Sequence, residues 1–188
     1  KGPGMSLVGV LTGWFRDLDF IAEDLGYPSP EVVQLLSDSG LPGMKVLEFA
    51  FDSRDPSDYL PHSCNFNSIC YTGTHDNDTT AGWIATADET TLKAAKDYLH
   101  FDGTDDGVEA FIRCVLSSPC CMAVVPMQDV LHLGSEARMN LPGTIGGNWA
   151  WRAKAGFDSK ALAAQIEAEC AVYCRCNADA QNVKESAI

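Results

Sequence analysis

The chain has 188 residues, of which 46% are hydrophobic, so it can form the core of one ordinary domain and is not wholly disordered. It carries 26 acidic and 13 basic residues, which give a net charge of −13. That charge disfavours nucleic acid and anionic membranes as partners, and no apolar run approaches the ~20 residues that a membrane span needs.

The N-terminal stretch and the cysteines bear on location and cofactors. The opening KGPGMSLVGVLTGWF has one lysine and no small-residue cleavage pattern, so we predict no signal peptide. Among the eight cysteines, Cys170, Cys174 and Cys176 have loose metal-ligand spacing but lack a paired Cys-x-x-Cys. We therefore expect no zinc, no other metal and no cofactor. Most of the other cysteines lie in apolar segments, so we expect largely buried, reduced thiols in a cytoplasmic protein.

The first helices and the first strand are predicted from apolar spacing and from residues typical of helix ends. Five apolar residues at helical spacing predict an amphipathic N-terminal helix: Leu7, Val10, Leu11, Trp14 and Phe15. The run LDFIA then predicts a strand near 18–22, which ends at an acidic pair. Ser29 as a cap, Pro30 at the first helical position and Gly40 at the end predict the second helix.

The rest of the chain alternates strands and helices. Further strands are predicted near residues 43–50, 68–72 and 121–126. Further helices are predicted at 88–99, 105–118 and 158–173, with long loops at 52–67 and 134–149. Residues 177–188 read as a polar C-terminal tail. Short, almost wholly apolar strands with helices between most of them predict an α/β fold with parallel strands.

Acids, amides and a histidine follow several of these strands. EDLG comes after the first strand, GTHDND after the third and MQD after the fourth. Sites in parallel α/β folds form at the carboxyl ends of the strands, and several such ends favour a barrel mouth over a Rossmann crevice. No GxGxxG or GxxxxGK[ST] motif is present, so nucleotide binding is unsupported.

Plainer interpretations of the same residues remain open. His75 taken alone is typical of a core histidine, and Asp24 of a helix cap or a pairing partner. His75 and Asp76 are consecutive in a strand pattern and point to opposite faces, so they do not converge on a metal ion. Three tryptophans are either sugar platforms or core residues, with core favoured for at least two: Trp83, Trp149 and Trp151.

Five motifs closely resemble those of the amylomaltases, the 4-α-glucanotransferases of the α-amylase clan: IAEDLG, PGMKVLEFAF, YTGTHDNDTT, MQDVLHLGSEARMNLPGT and NWAWR. They occur in the family's order over residues 1–152. The resemblance implies a (β/α)8 barrel, of which residues 1–176 would form the C-terminal half with strands five to eight and helical crossovers. The family's Arg-x-Asp-His motif, which carries the nucleophilic aspartate, does not occur in the 188 residues.

The resemblance also implies roles for individual residues in a retaining mechanism. Glu23 matches the acid/base glutamate, and Asp76 matches the aspartate that stabilises the transition state. His75 matches the histidine that bonds sugar hydroxyls, and Asp24 and Asn77 are expected to bind substrate. The apolar run before Glu23 and the carboxylate of Asp76 are expected to bury Glu23 and raise its pKa.

The implied substrates are α-1,4-glucans and maltooligosaccharides. Two alternatives stay open at this point. One is a non-catalytic carbohydrate-binding half-barrel or an inert fragment, and the other is an α-glucan hydrolase of the same clan. An open half-barrel exposes strand edges, so self-association or a missing N-terminal half are the expected protein partners.

Overall fold

A small parallel sheet forms the centre of the structure. The computed structural model describes residues 2–26, 29–52 and 59–176. Within them, three strands lie in sequential order: β1 (Gly43–Val46), β2 (Ser68–Tyr71) and β3 (Met122–Val124). Both neighbouring pairs are parallel, with Gly43 opposite Ser68 and Ile69 opposite Met122. The predicted α/β fold with parallel strands is confirmed.

Helices make up most of the remaining regular structure. Seven are found in the described residues: α1 (Met5–Trp14), α2 (Pro30–Ser39), α3 (Thr80–Thr86), α4 (Glu89–Leu99), α5 (Thr104–Ser117), α6 (Met127–Val130) and α7 (Lys160–Val172). Their ends follow local signals, since the Thr79 hydroxyl caps α3, the Asp88 carboxylate caps α4, and left-handed Gly40 ends α2. The sequence did not predict α3 and α6, which span only seven and four residues.

Helical crossovers join only part of the sheet. Helices α3, α4 and α5 connect β2 to β3. Between β1 and β2 the described residues hold two short 3-10 turns, Leu47–Phe51 and Pro61–Ser63. The predicted strand at 43–50 is therefore too long, because the chain tightens into the first turn after Val46. The strand predicted at 121–126 ends before Pro126, which has no N–H to continue a ladder.

The strand predicted at 18–22 does not form, and Asp24 supplies a physical reason. One backbone bond links this segment to the residue before β1, from Ala22 N to Pro42 O at 2.9 Å. The next donor along β1, Met44 N, instead donates to Asp24 Oδ1 at 2.7 Å. The side chain thus takes the donor that a neighbouring strand carbonyl would need, and no ladder develops.

The core lies where α3 and α5 meet the turn after β1. Phe111 of α5 is fully buried, with its ring centroid 5.8 Å from that of Phe51 and 5.3 Å from that of Trp83. Trp83 is therefore a core residue. Trp149 is 55% exposed, and Trp151 is half-buried outside the core cluster, so the prediction that at least two of the three tryptophans are core residues is wrong.

The N-terminal helix carries apolar residues that the described chain leaves uncovered. No residue of α1 is buried, and Trp14 is 82% exposed. Leu7, Val10 and Phe15 are about half exposed.

Among the described residues, no helix combines the length and apolarity that crossing a membrane requires.

All eight cysteines are free thiols. Three are buried, three are half-buried and two are exposed, so the expectation of largely buried thiols is wrong: Cys64, Cys70 and Cys120; Cys114, Cys170 and Cys176; and Cys121 and Cys174, respectively. In the part of the chain that the structure describes, no three His, Cys, Asp or Glu residues are placed to hold a metal ion. The predicted tail at 177–188 lies outside the described residues.

Candidate active site at the carboxyl edge of the sheet

Two adjoining cavities open where β1 and β2 end. The larger measures about 990 Å³ and the smaller about 340 Å³. Glu23, Thr74 and Asp76 line both of them. His75 lines the smaller cavity and Asn77 the larger, so four of the five predicted site residues meet at this edge. We call the two cavities together the cleft.

The turn at residues 73–77 is built by its own side chains. Asn77 Oδ1 accepts hydrogen bonds from Thr74 N at 3.0 Å and from Thr74 Oγ1 at 2.8 Å. The same hydroxyl oxygen accepts from Asp76 N at 3.3 Å. Side-chain bonds to the backbone one to three residues away are typical of asparagine and threonine in tight turns. These bonds fix the backbone that presents His75 and Asp76.

The carboxylate of Asp76 is held from a distant part of the chain. Asn140 Nδ2 donates to Asp76 Oδ1 at 2.6 Å, and His75 Nε2 lies 3.3 Å from the same oxygen. Arg138 Nη2 donates to the Asp76 carbonyl at 2.6 Å. Half of the Asp76 side chain stays exposed, so the carboxylate is oriented yet open to the cleft.

His75 lies between the turn and an aromatic ring. Its imidazole centroid is 5.0 Å from the ring of Trp149, at an interplanar angle of 41°. The His75 carbonyl accepts from Asn140 N at 3.0 Å, and Trp149 N donates to Met139 O at 2.7 Å. The segment 138–149 therefore holds both the imidazole and the carboxylate next to it.

Glu23 and Asp24 differ in their placement. Glu23 faces the cleft but is exposed, so the expected burial of its carboxyl is wrong for this chain. Asp24 is half-buried, bonds Met44 N and does not line the cleft as the structure describes it. A substrate contact of Asp24 stays a prediction.

A further acid lies at the base of the cleft. Glu48, the second residue after β1, is 4% exposed, and its Oε1 has no hydrogen-bond partner. Desolvation raises its pKa well above the usual value, and the charges of Asp129 and Asp78 act in the same direction. The Asn77 side chain and the Arg138 guanidinium oppose that rise without cancelling it.

The neighbouring carboxylate of Asp129 is satisfied. It is 1% exposed and accepts from Thr72 Oγ1 at 2.6 Å, from Thr80 N at 2.8 Å and from Thr80 Oγ1 at 2.9 Å. Asp78 accepts from Thr79 N at 2.8 Å and from Ser135 Oγ at 2.7 Å. These bonds join the end of β2 to α3 and α6, and they set a negatively charged floor beneath the turn.

Sequence reasoning missed three residues of this arrangement: Glu48, Arg138 and Asn140. Arg138 and Asn140 lie in a motif that resembles the family. That motif is predicted to be a loop, and a loop has no periodic pattern that would indicate the contacts of either side chain. Glu48 had a signal, because a charged residue inside the near-continuous apolar run VLEFAF needs an explanation.

Comparison with known proteins decides the family. A family model described as 4-alpha-glucanotransferase matches residues 1–158. The chain belongs to this family. The motif resemblance read from the sequence is therefore confirmed.

Two curated relatives carry the same family name. The chain is 44% identical over 153 residues to the 4-alpha-glucanotransferase of Streptococcus pneumoniae, and 40% identical over 177 residues to that of Clostridium butyricum. These alignments cover 81% and 94% of this chain. They cover 30% and 36% of the two relatives, so the chain spans about a third of their length.

A solved structure agrees as well. Amylomaltase from Streptococcus agalactiae, determined in complex with acarbose, superposes with a TM-score of 0.85 at 33% identity. The match covers 94% of this chain and 36% of that one. Amylomaltase from Corynebacterium glutamicum, at 18% identity and a TM-score of 0.63, shares the fold.

Proposed function

We propose that the full-length protein is a retaining 4-α-glucanotransferase that moves α-1,4-glucan segments between maltooligosaccharides. The observation that carries this proposal is the meeting of Glu23 and Asp76 at one cleft, in a chain of the 4-alpha-glucanotransferase family. Glucan chains are neutral, which suits a chain of net charge −13 better than an anionic substrate does.

In this proposal Glu23 protonates the glycosidic oxygen as the donor bond breaks, and later removes the proton of the acceptor hydroxyl. Asp76 stays charged beside the oxocarbenium-like sugar. The hydrogen bond from Asn140 orients that carboxylate before the reaction, so little reorganisation is needed in the transition state. His75 and the exposed face of Trp149 supply a polar and an aromatic surface for sugar rings.

The nucleophilic aspartate is proposed to come from a part of the protein outside this chain. Residues 1–176, with the segment at 18–22 and strands β1 to β3, are proposed to form the C-terminal half of a (β/α)8 barrel. The superposition on an amylomaltase supports this. So do the uncovered apolar residues of α1, which are proposed to pack against the other half. The cytoplasmic location stays a proposal, and an Arabidopsis thaliana relative is named chloroplastic/amyloplastic.

Product analysis tests the function. The full-length protein is incubated with maltotriose, and products are resolved by chromatography over time. We expect glucose together with a ladder of longer maltooligosaccharides. Glucose and maltose alone would instead establish a hydrolase, and unchanged maltotriose would leave a carbohydrate-binding or inert protein. Acarbose is the matched ligand for a calorimetric binding test, because the S. agalactiae relative was solved with it.

A further inference from the structure

Glu48 combines burial with an unmet hydrogen bond. Among the residues that the structure describes, its Oε1 is the one buried side-chain nitrogen or oxygen atom without a hydrogen-bond partner. Buried polar atoms are nearly always paired, so an exception calls for an explanation. The Glu48 backbone is ordinary, since its N–H donates to the Thr72 carbonyl at 3.2 Å. The unpaired atom is therefore a property of the side chain and of what lies over it.

The carboxyl group lies directly against the start of the 73–77 turn. A Cβ built on Gly73 would lie 2.8 Å from Glu48 Oε1 and 3.2 Å from its Cδ. The same position is 3.3 Å from the Cβ of Asn77. Glycine at residue 73 thus leaves the space that the Glu48 carboxyl fills. The carboxyl therefore packs closely against the backbone that leads to His75 and Asp76.

The charges around Glu48 favour a neutral acid. Asp129 from α6 and Asp78 from the end of the turn both disfavour a third negative charge. Arg138 is the cation that acts against them, and the Asn77 amide assists it. Other acids line the same cleft and add to its negative potential: Glu23, Asp52, Asp76 and Asp88. A protonated carboxyl fits between these carboxylates, whereas an ionised one repels the two acids beside it.

We propose that Glu48 is a positioning residue of the glucanotransferase site, an uncharged acid that packs under the 73–77 turn and keeps His75 and Asp76 in register with the glucan. The inference rests on the proposed function. It adds that ionisation of Glu48 displaces the turn, so that the rate of transfer falls on the alkaline side as this one carboxyl loses its proton.

The test compares three variants of the full-length protein. Glu48→Gln keeps the shape and hydrogen-bonding capacity of the neutral acid but does not ionise. Glu48→Ala removes the contact with Gly73. Glu167→Gln is the matched control, because Glu167 is an exposed glutamate on α7 outside the cleft. The kcat and KM for maltotriose disproportionation are measured for each across acidic to alkaline pH.

We expect Glu48→Gln to match the wild type at acidic pH and to retain more of its kcat than the wild type on the alkaline side, where the remaining decline comes from ionisation of the proton donor Glu23. Glu48→Ala should lower kcat by about tenfold or more at every pH while KM changes by less than about threefold, since a misplaced turn affects the transition state most. Glu167→Gln should follow the wild-type profile. Superimposable profiles of the wild type and Glu48→Gln would overturn the inference.

Spectroscopy separates this inference from the proposed activity. The protein is labelled with 13C-carboxyl glutamate, and the Glu48 signal is assigned by its loss in Glu48→Gln. We expect this signal to titrate well above the ordinary glutamate value of 4.5, with the backbone amide signals of the 73–77 turn shifting in the same step in the wild type and not in Glu48→Gln. Titration near 4.5, or turn amide signals that do not change in that step, would overturn the inference even in an active enzyme. Failure to act on maltotriose would reject the proposed function alone.

Discussion

The side-chain amide of Asn140 donates a hydrogen bond of 2.6 Å to Asp76 Oδ1, joining residues 64 positions apart in the sequence. Asn140 also donates its backbone N–H to the His75 carbonyl. One residue therefore fixes both the side chain of the predicted transition-state stabiliser and the backbone next to it. A hydrogen bond to a charged acceptor is among the stronger polar contacts in proteins.

Removing that bond should slow the reaction. Asn140→Ala in the full-length protein is expected to lower kcat for maltotriose disproportionation by about 10- to 100-fold, because Asp76 loses its orienting donor. The matched control is Asn67→Ala, which removes an exposed asparagine that bonds the carbonyls of Gly40 and Leu41 away from the cleft. Equal activity of the two variants would show that Asp76 needs no support from Asn140.

The roles proposed for Glu23 and Asp76 can be separated chemically. Glu23→Gln removes a proton donor and Asp76→Asn removes a charge, and each should reduce the maltotriose rate by several powers of ten. Binding should survive, since sugar contacts elsewhere in the cleft remain. An α-glucosyl fluoride needs little protonation on departure, so it should partly rescue Glu23→Gln and not Asp76→Asn.

Steady-state rates with maltotriose and with the fluoride, measured on both variants, decide between the roles. Rescue of Asp76→Asn but not of Glu23→Gln would mean that the two roles are reversed. Unchanged maltotriose activity in both variants would place the chemistry on other residues. Acarbose binding, measured by calorimetry, serves as the control that both variants retain a folded cleft.

Gly73 should tolerate no side chain. In Gly73→Ala the new methyl would meet Glu48 Oε1 at 2.8 Å, which forces the turn or the carboxyl to move. Overpacking of this kind is expected to cost about 1–3 kcal/mol of unfolding free energy and to lower kcat as well. Gly103→Ala is the control, because a Cβ at that exposed site would meet only Asp106 Oδ2, at an ordinary 3.9 Å, and the residue precedes α5 outside the cleft.

Chemical denaturation and maltotriose kinetics measure the two effects. Gly103→Ala should leave the activity unchanged and should cost at most about 1 kcal/mol, since alanine is a poorer helix N-cap than glycine. If Gly73→Ala matched it in both stability and kcat, the close packing of Glu48 beneath the turn would have no functional weight.

Local signals explain what the sequence could predict. Ser29, Pro30 and Gly40 mark the ends of α2 without help from the rest of the chain, and the apolar runs of β1 to β3 need only burial to become strands. The cluster at 73–77 was recognised because its polar residues follow an apolar run. The roles of its residues come only from the family resemblance. The comparisons confirm that the chain belongs to the family, while the roles stay predictions.

What the sequence could not predict depends on contacts between distant segments. A strand at 18–22 requires backbone partners, and Asp24 takes the Met44 N–H that would begin the ladder. The surroundings of Glu48 come from the turn after β2, from α6 and from the segment that carries Arg138, three places that no local pattern relates. Asn140 lies in a segment without regular structure, so its contact with Asp76 has no periodic signature.

The last prediction concerns the stability of the protein against pH. The pKa of Glu48 is raised in the folded state, chiefly by desolvation and then by Asp129 and Asp78. Below the usual value of 4.5 the acid is protonated in both the folded and the unfolded states, so it costs nothing. Above 4.5 the unfolded chain releases the proton while the folded protein keeps it, so the unfolding free energy falls as pH rises. The fall ends when the pH passes the folded pKa, and each unit of difference between the two pKa values contributes about 1.4 kcal/mol.

Glu48→Gln does not titrate, so it should escape this loss. We expect the free energy of unfolding of Glu48→Gln minus that of the wild type to stay constant below pH 4.5 and to grow in favour of the variant as pH rises toward neutrality. Urea denaturation of the full-length protein at a series of pH values measures it. The control Glu167→Gln removes an exposed glutamate outside the cleft, and it measures the general effect of losing one negative charge. If the difference for Glu48→Gln instead shrank or changed sign in favour of the wild type as pH rises, Glu48 would be ionised in the folded protein, and a cation paired with it would have to be sought in place of the neutral acid.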